Sequence, residues 1–254
     1  MAVTDMDMDM AMDTVITADN RRSRFKTFSG RNNSMKEQEK YCIVNGVKYY
    51  VDEKKAYSVV KRVFDVAASL TALILFFWVF AIIALVIKLN DGGPVFYVSK
   101  RVGRFGKEFD FYKFRSMHVN AEEMLGDLLS QNETSGQLFK MKNDPRITRV
   151  GMFLRKTSLD ELPQLFNILK GDMSFVGPRP PLVREVENYT EYSMQRLSVI
   201  GGLTCYWQIS GRSEIDFNGM VKLDMQYISE RSVLTDLKIL FKTIPAVIKG
   251  DGAY

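Results

Sequence analysis

In this 254-residue chain the side chains best suited to chemistry gather between Asn143 and Arg212, where turn residues, carboxylates and arginines are denser than core packing requires. The centre of that stretch is LRKTSLDELPQLFN, residues 154–167. Ser158 and Glu161 stand three apart in the form of a capping box, which predicts a helix beginning there with Asp160 and Glu161 in its first turn. At that end of a helix the dipole and free backbone N–H groups favour ionised carboxylates, so an Asp160 held there is a competent nucleophile or metal ligand. The same pattern is a common way simply to start a helix, and taken alone it favours that plainer reading. Arg155 and Lys156 beside the turn shift the balance slightly, because such cations could hold phosphate groups against a Mg²⁺ ion bound by carboxylate.

Three further pieces carry candidate ligands. In VGPRPP, residues 176–181, three prolines fix the backbone around Arg179 and would present it pre-ordered; an ordinary Pro-rich turn with a solvated Arg is the equal alternative. GGLTCYWQISGR, residues 201–212, combines glycines that admit a ligand near the backbone, aromatics able to stack on a base, and Arg212, although Tyr206 and Trp207 are residue types more often found in cores. Lys113 and Arg115 in YKFRSM fall on one face of a strand and could serve phosphates, or lie on a solvated edge. The sole histidine, His118, excludes a multi-His metal cage and argues against a Ser-His-Asp hydrolase, leaving carboxylates as the expected acids, bases or nucleophiles. Cys42 and Cys205 have no metal-ligand spacing and read as free thiols in a reducing compartment.

The elements that must position these residues follow from composition and pattern. The chain is 46% hydrophobic and 26% charged, with net charge +5, which excludes disordered, collagenous and disulfide-built classes. A charge of this size suits nucleic acid, anionic lipid or a phosphorylated substrate alike. The mean hydropathy of -0.11 hides the run Val66–Ile87, about 22 positions without a charge, long enough to cross a hydrocarbon core and too far from the N-terminus for a signal peptide. Its helix is expected over 59–90, stopped by Asp91-Gly92-Gly93-Pro94. Both flanks are basic, with Lys54, Lys55, Lys61 and Arg62 before it and Lys88, Lys100, Arg101 and Arg104 after it, which favours a re-entrant helix returning to the same anionic surface over a single crossing.

Upstream, residues 1–40 lack an apolar face and are expected to be disordered, and 41–58 should contain a hairpin around Asn45-Gly46. Downstream, 91–254 reads as a water-facing domain. It should open with strands at 95–98 and 109–114 divided by a basic turn at 100–104, then a helix near 121–129. The helix after Ser158 should place Leu162, Leu165, Phe166 and Leu169 on one face, core or membrane-contacting, and end at Gly171.

In order, KRVFD, the apolar run, GGPVFY, KRVGRFGKEFDFYKFRSM, NDPRITRVGMFLRKTSLDELPQLFNILKGDMSFVGPRP, GGLTCYWQISGR and the closing GAY resemble the bacterial sugar transferase family over about residues 59–254. Agreement over so many ordered pieces sets aside the plainer readings of each. The resemblance implies an α/β fold: a small mixed α+β catalytic domain on a membrane-embedded, re-entrant N-terminal helix, with interfacial amphipathic helices. It implies transfer of a sugar-1-phosphate from a UDP-sugar to undecaprenyl phosphate with release of UMP and a requirement for Mg²⁺. Carried over, Asp160 is the nucleophile that forms a covalent phosphosugar, Glu161 the Mg²⁺ ligand, and Arg155, Arg179 and Arg212 hold phosphates or position the carboxylates.

The implied location is the bacterial inner, cytoplasmic membrane with the catalytic domain on the cytoplasmic side. The implied partners are UDP-sugar, undecaprenyl phosphate and membrane lipid, without nucleic acid; some larger members look dimeric, which leaves a homodimer open. The ending GAY resembles members using UDP-galactose or UDP-glucose. In the family the membrane helix bends at Ser-Pro, where this chain has Phe77-Trp78 and no proline between Val59 and Gly93. Gly201 and Cys205 also replace a usual Pro and Gly. Two other classes are a catalytically silent membrane scaffold, disfavoured by the intact carboxylate pair, and a membrane-attached nucleic-acid binder, for which no binding motif is present.

Overall fold

The computed structural model describes residues 41–44, 46–50, 54–128, 141, 143–211 and 215–249. The disorder expected over 1–40, the closing GAY and Arg212 lie outside the described residues. Among the described residues the architecture mixes helices with three two-stranded sheets.

The hairpin forms where expected. Strands β1 (Tyr41–Val44) and β2 (Val47–Tyr50) pair antiparallel with Val44 opposite Val47, and Gly46 takes the positive φ of 82° that a tight turn demands. Helix α1 runs unbroken from Lys55 to Asp91, starting ahead of Val59 and continuing through Phe77-Trp78. Gly92 ends it, at φ 70°, donating its N–H to the Lys88 carbonyl.

Asp65, Ser69, Ile83 and Ile87 of α1 are buried, and Ala72, Leu73, Val79 and Phe80 pack against core clusters, so one stripe at three-to-four spacing faces the rest of the molecule. The opposite stripe, including Ile74, Phe77, Trp78, Ile82, Leu85 and Leu89, is exposed. α1 is long and apolar enough to cross a membrane, and most of its apolar length is uncovered, unlike the core helix of a soluble protein. The helix associates with membrane.

Strands β3 (Phe96–Val102) and β4 (Glu108–Phe114) form the second hairpin, in register from Phe96 opposite Phe114 to Val102 opposite Glu108. The expected basic turn is corrected here: Lys100, Arg101 and Val102 belong to β3, and the reversal is confined to Gly103–Lys107. β4 offers ladder partners along its whole length, and Val102 N–H also donates to the Pro181 carbonyl (2.9 Å), so a long-range partner overrides local turn chemistry. Of the helix expected near 121–129, the described residues form α2 (Leu125–Leu128), with 121–124 in turns and position 129 outside the described residues.

Helix α3 (Arg149–Lys156) is capped by Thr148, whose Oγ1 accepts from Gly151 N at 2.8 Å. α4 (Gln164–Lys170) ends at Gly171, φ 92°, as expected. Its buried face is Gln164, Leu165, Asn167 and Ile168, whereas Phe166 is 40% exposed. The expected four-residue apolar face is therefore split: Leu162, ahead of the helix, packs with Leu165 in one core cluster, while Phe166 turns outwards. β5 (Met173–Val176) pairs parallel with β6 (Gly201–Thr204). Between these strands lie α5 (Val183–Val186) and α6 (Glu191–Met194), and after them α7 (Phe217–Glu230) and α8 (Val233–Lys249). Phe109 and Phe111 of β4, Leu165 and Ile168 of α4 and Met173 of β5 make one core cluster. Phe114 and Leu154 make another with Ile83 and Ile87 of α1, so the strand bearing Lys113 and the helix bearing Arg155 share one support.

Candidate active site

The segment carrying the two carboxylates departs from the capping-box expectation. Ser158 takes a left-handed conformation, φ 56° and ψ 16°, and its side chain caps nothing. Leu159–Glu161 then form a single 3-10 turn, and α4 begins only after Pro163, whose missing N–H and fixed φ suit a helix start. Left-handed geometry at a non-glycine residue costs on the order of 1 kcal/mol, so the surrounding packing imposes it. The turn leaves Asp160 buried, 5% exposed, at the base of a cleft.

Ion pairing takes the place of the expected helix dipole. Lys113 Nζ, from β4, lies 2.8 Å from Glu161 Oε1 and 3.4 Å from Asp160 Oδ2, bridging the pair. Arg179 Nη1 is 3.7 Å from the same Glu161 oxygen. Burial works to raise the Glu161 carboxyl, but Lys113 and then Arg179 outweigh it and carry the group down to about 2. Asp160 moves the other way: burial, reinforced by the neighbouring Glu161 charge, lifts it above its ordinary value despite Lys113 and Arg155. Adjacent carboxylates with opposite shifts are suited to different roles.

Arg155, on α3, donates from Nε to Ser116 Oγ at 2.9 Å, and it lines the cleft with Lys113, Arg179 and the carboxylates. Arg115 lines it as well, one residue beyond β4. Its guanidinium is engaged by Asp91 through both Nη1 and Nη2 and by the carbonyls of Pro94 (2.6 Å) and Met117 (3.2 Å), a clamp on the end of α1. Of the residues singled out by sequence, the structure brings together Asp160, Glu161, Lys113, Arg155 and Arg179, and turns Arg115 towards Asp91.

The cleft has a volume of about 880 Å³, within the range of sites for substantial ligands. Arg101, read from sequence as part of a turn, faces into it from β3. Its Nη1 donates to the Pro180 carbonyl (3.0 Å), and its Nε is a buried donor with no partner among the described residues. Trp207 Nε1 is likewise a buried, unpartnered donor in the cleft wall. Burial, together with the nearby Arg179 charge, lowers Arg101 to about 10. Arg196 lines the same cleft, its Nε donating to Asp224 (2.7 Å) and its Nη1 to the Tyr189 hydroxyl (2.7 Å). The alternation of Tyr97, Ser99 and Arg101 along a strand was the one sequence signal for Arg101; Arg196, twenty-eight positions from Asp224, had none.

Comparison with known proteins bears on the whole assembly. The sequence pattern of the family described as bacterial sugar transferase matches residues 56–250. The chain is 46% identical over 232 residues to the galactosyl transferase CpsE of Streptococcus agalactiae, covering 91% of this chain and 49% of that protein. It is 47% identical over 211 residues to the undecaprenyl-phosphate galactose phosphotransferase of Salmonella typhimurium, covering 79% of this chain and 43% of that one. With the exopolysaccharide production protein ExoY of Rhizobium meliloti it shares 45% identity over 198 residues, covering 76% and 88% of the two. The chain thus spans about half the length of the first two relatives and most of the third. With the cationic cleft, the carboxylate turn and the apolar α1 all inside the matched segment, the chain belongs to the bacterial sugar transferase family.

Proposed function

We propose that the protein transfers a sugar-1-phosphate from a UDP-sugar to undecaprenyl phosphate, releasing UMP, by way of a phosphosugar covalently held on Asp160. The observation that carries the reading is the electrostatic division of the dyad: Glu161 kept ionised by Lys113 and Arg179, with Asp160 buried beside it under a cationic wall. Nine Lys and Arg residues against six Asp and Glu line the cleft, and two buried donors await acceptors. A diphosphate supplies the missing negative charge and lone pairs.

In the first step an Asp160 carboxylate oxygen attacks the β-phosphorus; the Oδ–P bond forms, the bond to the bridging oxygen breaks, and UMP departs with those electrons. In the second step a lipid phosphate oxygen attacks the same phosphorus and Asp160 leaves as carboxylate. Both steps break P–O bonds, so the sugar keeps its anomeric configuration. Anionic partners meet at each step, which is why a cluster of cations must surround the phosphorus.

Mg²⁺ fits the residues present. Glu161, ionised and partly accessible, is the ligand, and no group of three or more candidate metal ligands exists among the described residues. That matches an ion bound through one or two carboxylates plus substrate phosphates. When bound, the ion neutralises charge on the diphosphate. Lys113 and Arg179 hold Glu161 oriented towards the cleft, and Ser116 orients Arg155.

In the same reading, 59–90 anchors a cytosolic catalytic domain, 91–254, to the cytoplasmic face of the inner membrane as a re-entrant element. Exposed Met152 and Phe153 on α3, and Leu234, Leu237, Phe241 and Ile244 on α8, would lie at the interface. Relatives named for galactose and glucose transfer favour those sugars. The test is UMP release by purified protein with a panel of UDP-sugars, Mg²⁺ and undecaprenyl phosphate. Activity is expected with at least one hexose donor and lost in Asp160→Asn; full activity of that variant would overturn the nucleophile assignment.

A further inference from the structure

The β1–β2 hairpin lies outside residues 56–250, the segment matched by the family, yet it is built into the back of the cleft. Tyr49 of β2 is 1% exposed and clusters with Val102 and Leu197, joined by Phe105, Val183 and Val186. Two of these walls alternate. Val102 follows Arg101 and Leu197 follows Arg196; the two arginines line the cleft while the apolar members pack behind it on Tyr49, and Val183 both packs on that cluster and lines the cleft. A single aromatic side chain thus supports the segments presenting Arg101 and Arg196.

Hydrogen bonds fix the same contact. Gln195, 7% exposed and adjacent to Arg196, accepts from Tyr50 N (2.9 Å) through Oε1 and donates to the Lys48 carbonyl (2.8 Å) through Nε2. Its amide therefore pairs with the outer backbone of β2 as a neighbouring strand would. Arg104 adds a bond from Nε to the Ser198 carbonyl (3.1 Å), tying the β3–β4 turn to the segment that carries Arg196.

We propose that this hairpin is a positioning element for donor binding: Tyr49 and Gln195 hold Arg101 and Arg196 at the spacing a nucleotide diphosphate requires. The inference rests on the reading of the cleft as a nucleotide-sugar site. Tyr49 and Gln195 touch no substrate, and act through the two arginines. Loss of the support lets the arginines drift, which weakens donor binding while leaving Asp160, Glu161 and Lys113 in place on α1-supported elements.

The test uses the full chain carrying Tyr49→Ala, Tyr49→Phe or Gln195→Leu, with kinetics in both substrates and the melting-temperature shift produced by UDP and by inorganic pyrophosphate. Expected are a donor KM raised roughly tenfold in Tyr49→Ala and Gln195→Leu, kcat and acceptor KM near wild type, loss of both ligand-induced shifts, and wild-type behaviour in Tyr49→Phe. Should Tyr49→Ala fail to fold, Gln195→Leu, which keeps the core intact, decides. A fall in kcat with unchanged KM values, or wild-type shifts in Gln195→Leu, would overturn the proposal and leave the proposed reaction standing. No UMP release from any donor, together with a pyrophosphate shift lost in Gln195→Leu, would remove the reaction and keep the coupling. Absence of both shifts in the wild type would overturn the proposal, and UMP release would still decide the reaction.

Discussion

Asp160 and Glu161 are chemically similar neighbours that the fold treats oppositely, and their replacements should therefore move stability in opposite directions. Asp160 has a raised carboxyl, so its ionisation costs stability once pH rises above the ordinary value of 3.8 and through the folded value. Asp160→Asn should abolish UMP release and yet melt higher, by about 1 kcal/mol or roughly 2–4 °C, in the manner of active-site residues kept at the expense of stability. Glu161 is depressed to about 2, so its stabilisation is present above 4.5 and lost only as pH falls towards 2; Glu161→Gln should lose activity and also melt lower. Calorimetry of the two variants at pH 7 checks the pair, and equal shifts of one sign would contradict this electrostatic division. For the same reason the acid limb of the rate profile should follow Asp160 and lie above 3.8. The residue types and their adjacency were legible in the sequence. Their separation was not, because Lys113, which dominates the Glu161 pairing, lies forty-eight positions away.

At the scale of elements, the site depends on how closely α3 approaches the end of β4. A Cβ on Gly151 would overlap the Ser116 carbonyl, so only glycine permits this contact, and Thr148 N–H donates to that carbonyl at 3.1 Å. One turn further along α3, Arg155 reaches Ser116 Oγ. Gly151→Ala should push α3 outwards, cost about 1–3 kcal/mol as overpacking does, and lower kcat/KM by roughly ten- to a hundredfold through the lost Arg155 position. Met152→Ala, at an exposed neighbouring position, should leave detergent-solubilised activity unchanged. Activity in Gly151→Ala equal to wild type would mean that Arg155 needs no such placement. Elements set by local pattern were readable in advance: the Asn45-Gly46 hairpin, the long apolar helix and its Gly92 stop, and the Gly171 cap. Those set by distant partners were not. The bond from Val102 N–H to the Pro181 carbonyl and the parallel pairing of β5 with β6 each depend on chain segments that no local window contains.

For the whole molecule the governing fact is that α1 is held by one domain near both of its ends. Near the start, Lys61 Nζ lies 2.6 Å from Asp236 Oδ2, Arg62 donates to the carbonyls of Ile168 (2.6 Å) and Leu169 (2.8 Å), and Asp65 accepts from Ser174 Oγ (3.0 Å) and Phe175 N (3.1 Å). Near the finish, Ile83 and Ile87 bury against Phe114 and Leu154, and Asp91 pairs with Arg115. A span of 37 residues is about 55 Å of helix, well beyond a hydrocarbon core of roughly 30 Å. A perpendicular crossing would draw one of these ends, with its charged contacts, to the far side of the bilayer, away from the domain that grips it. Both flanks should therefore lie on one face. In a Cys42→Ser background, where the remaining Cys205 is fully buried, cysteines introduced as Ser58→Cys in the first turn of α1 and Lys107→Cys after its end should resist an impermeant thiol reagent in intact cells. Both should react once the membrane is opened. Labelling of one flank alone in intact cells would show that α1 crosses, and the contacts at its two ends would then have to break in the membrane.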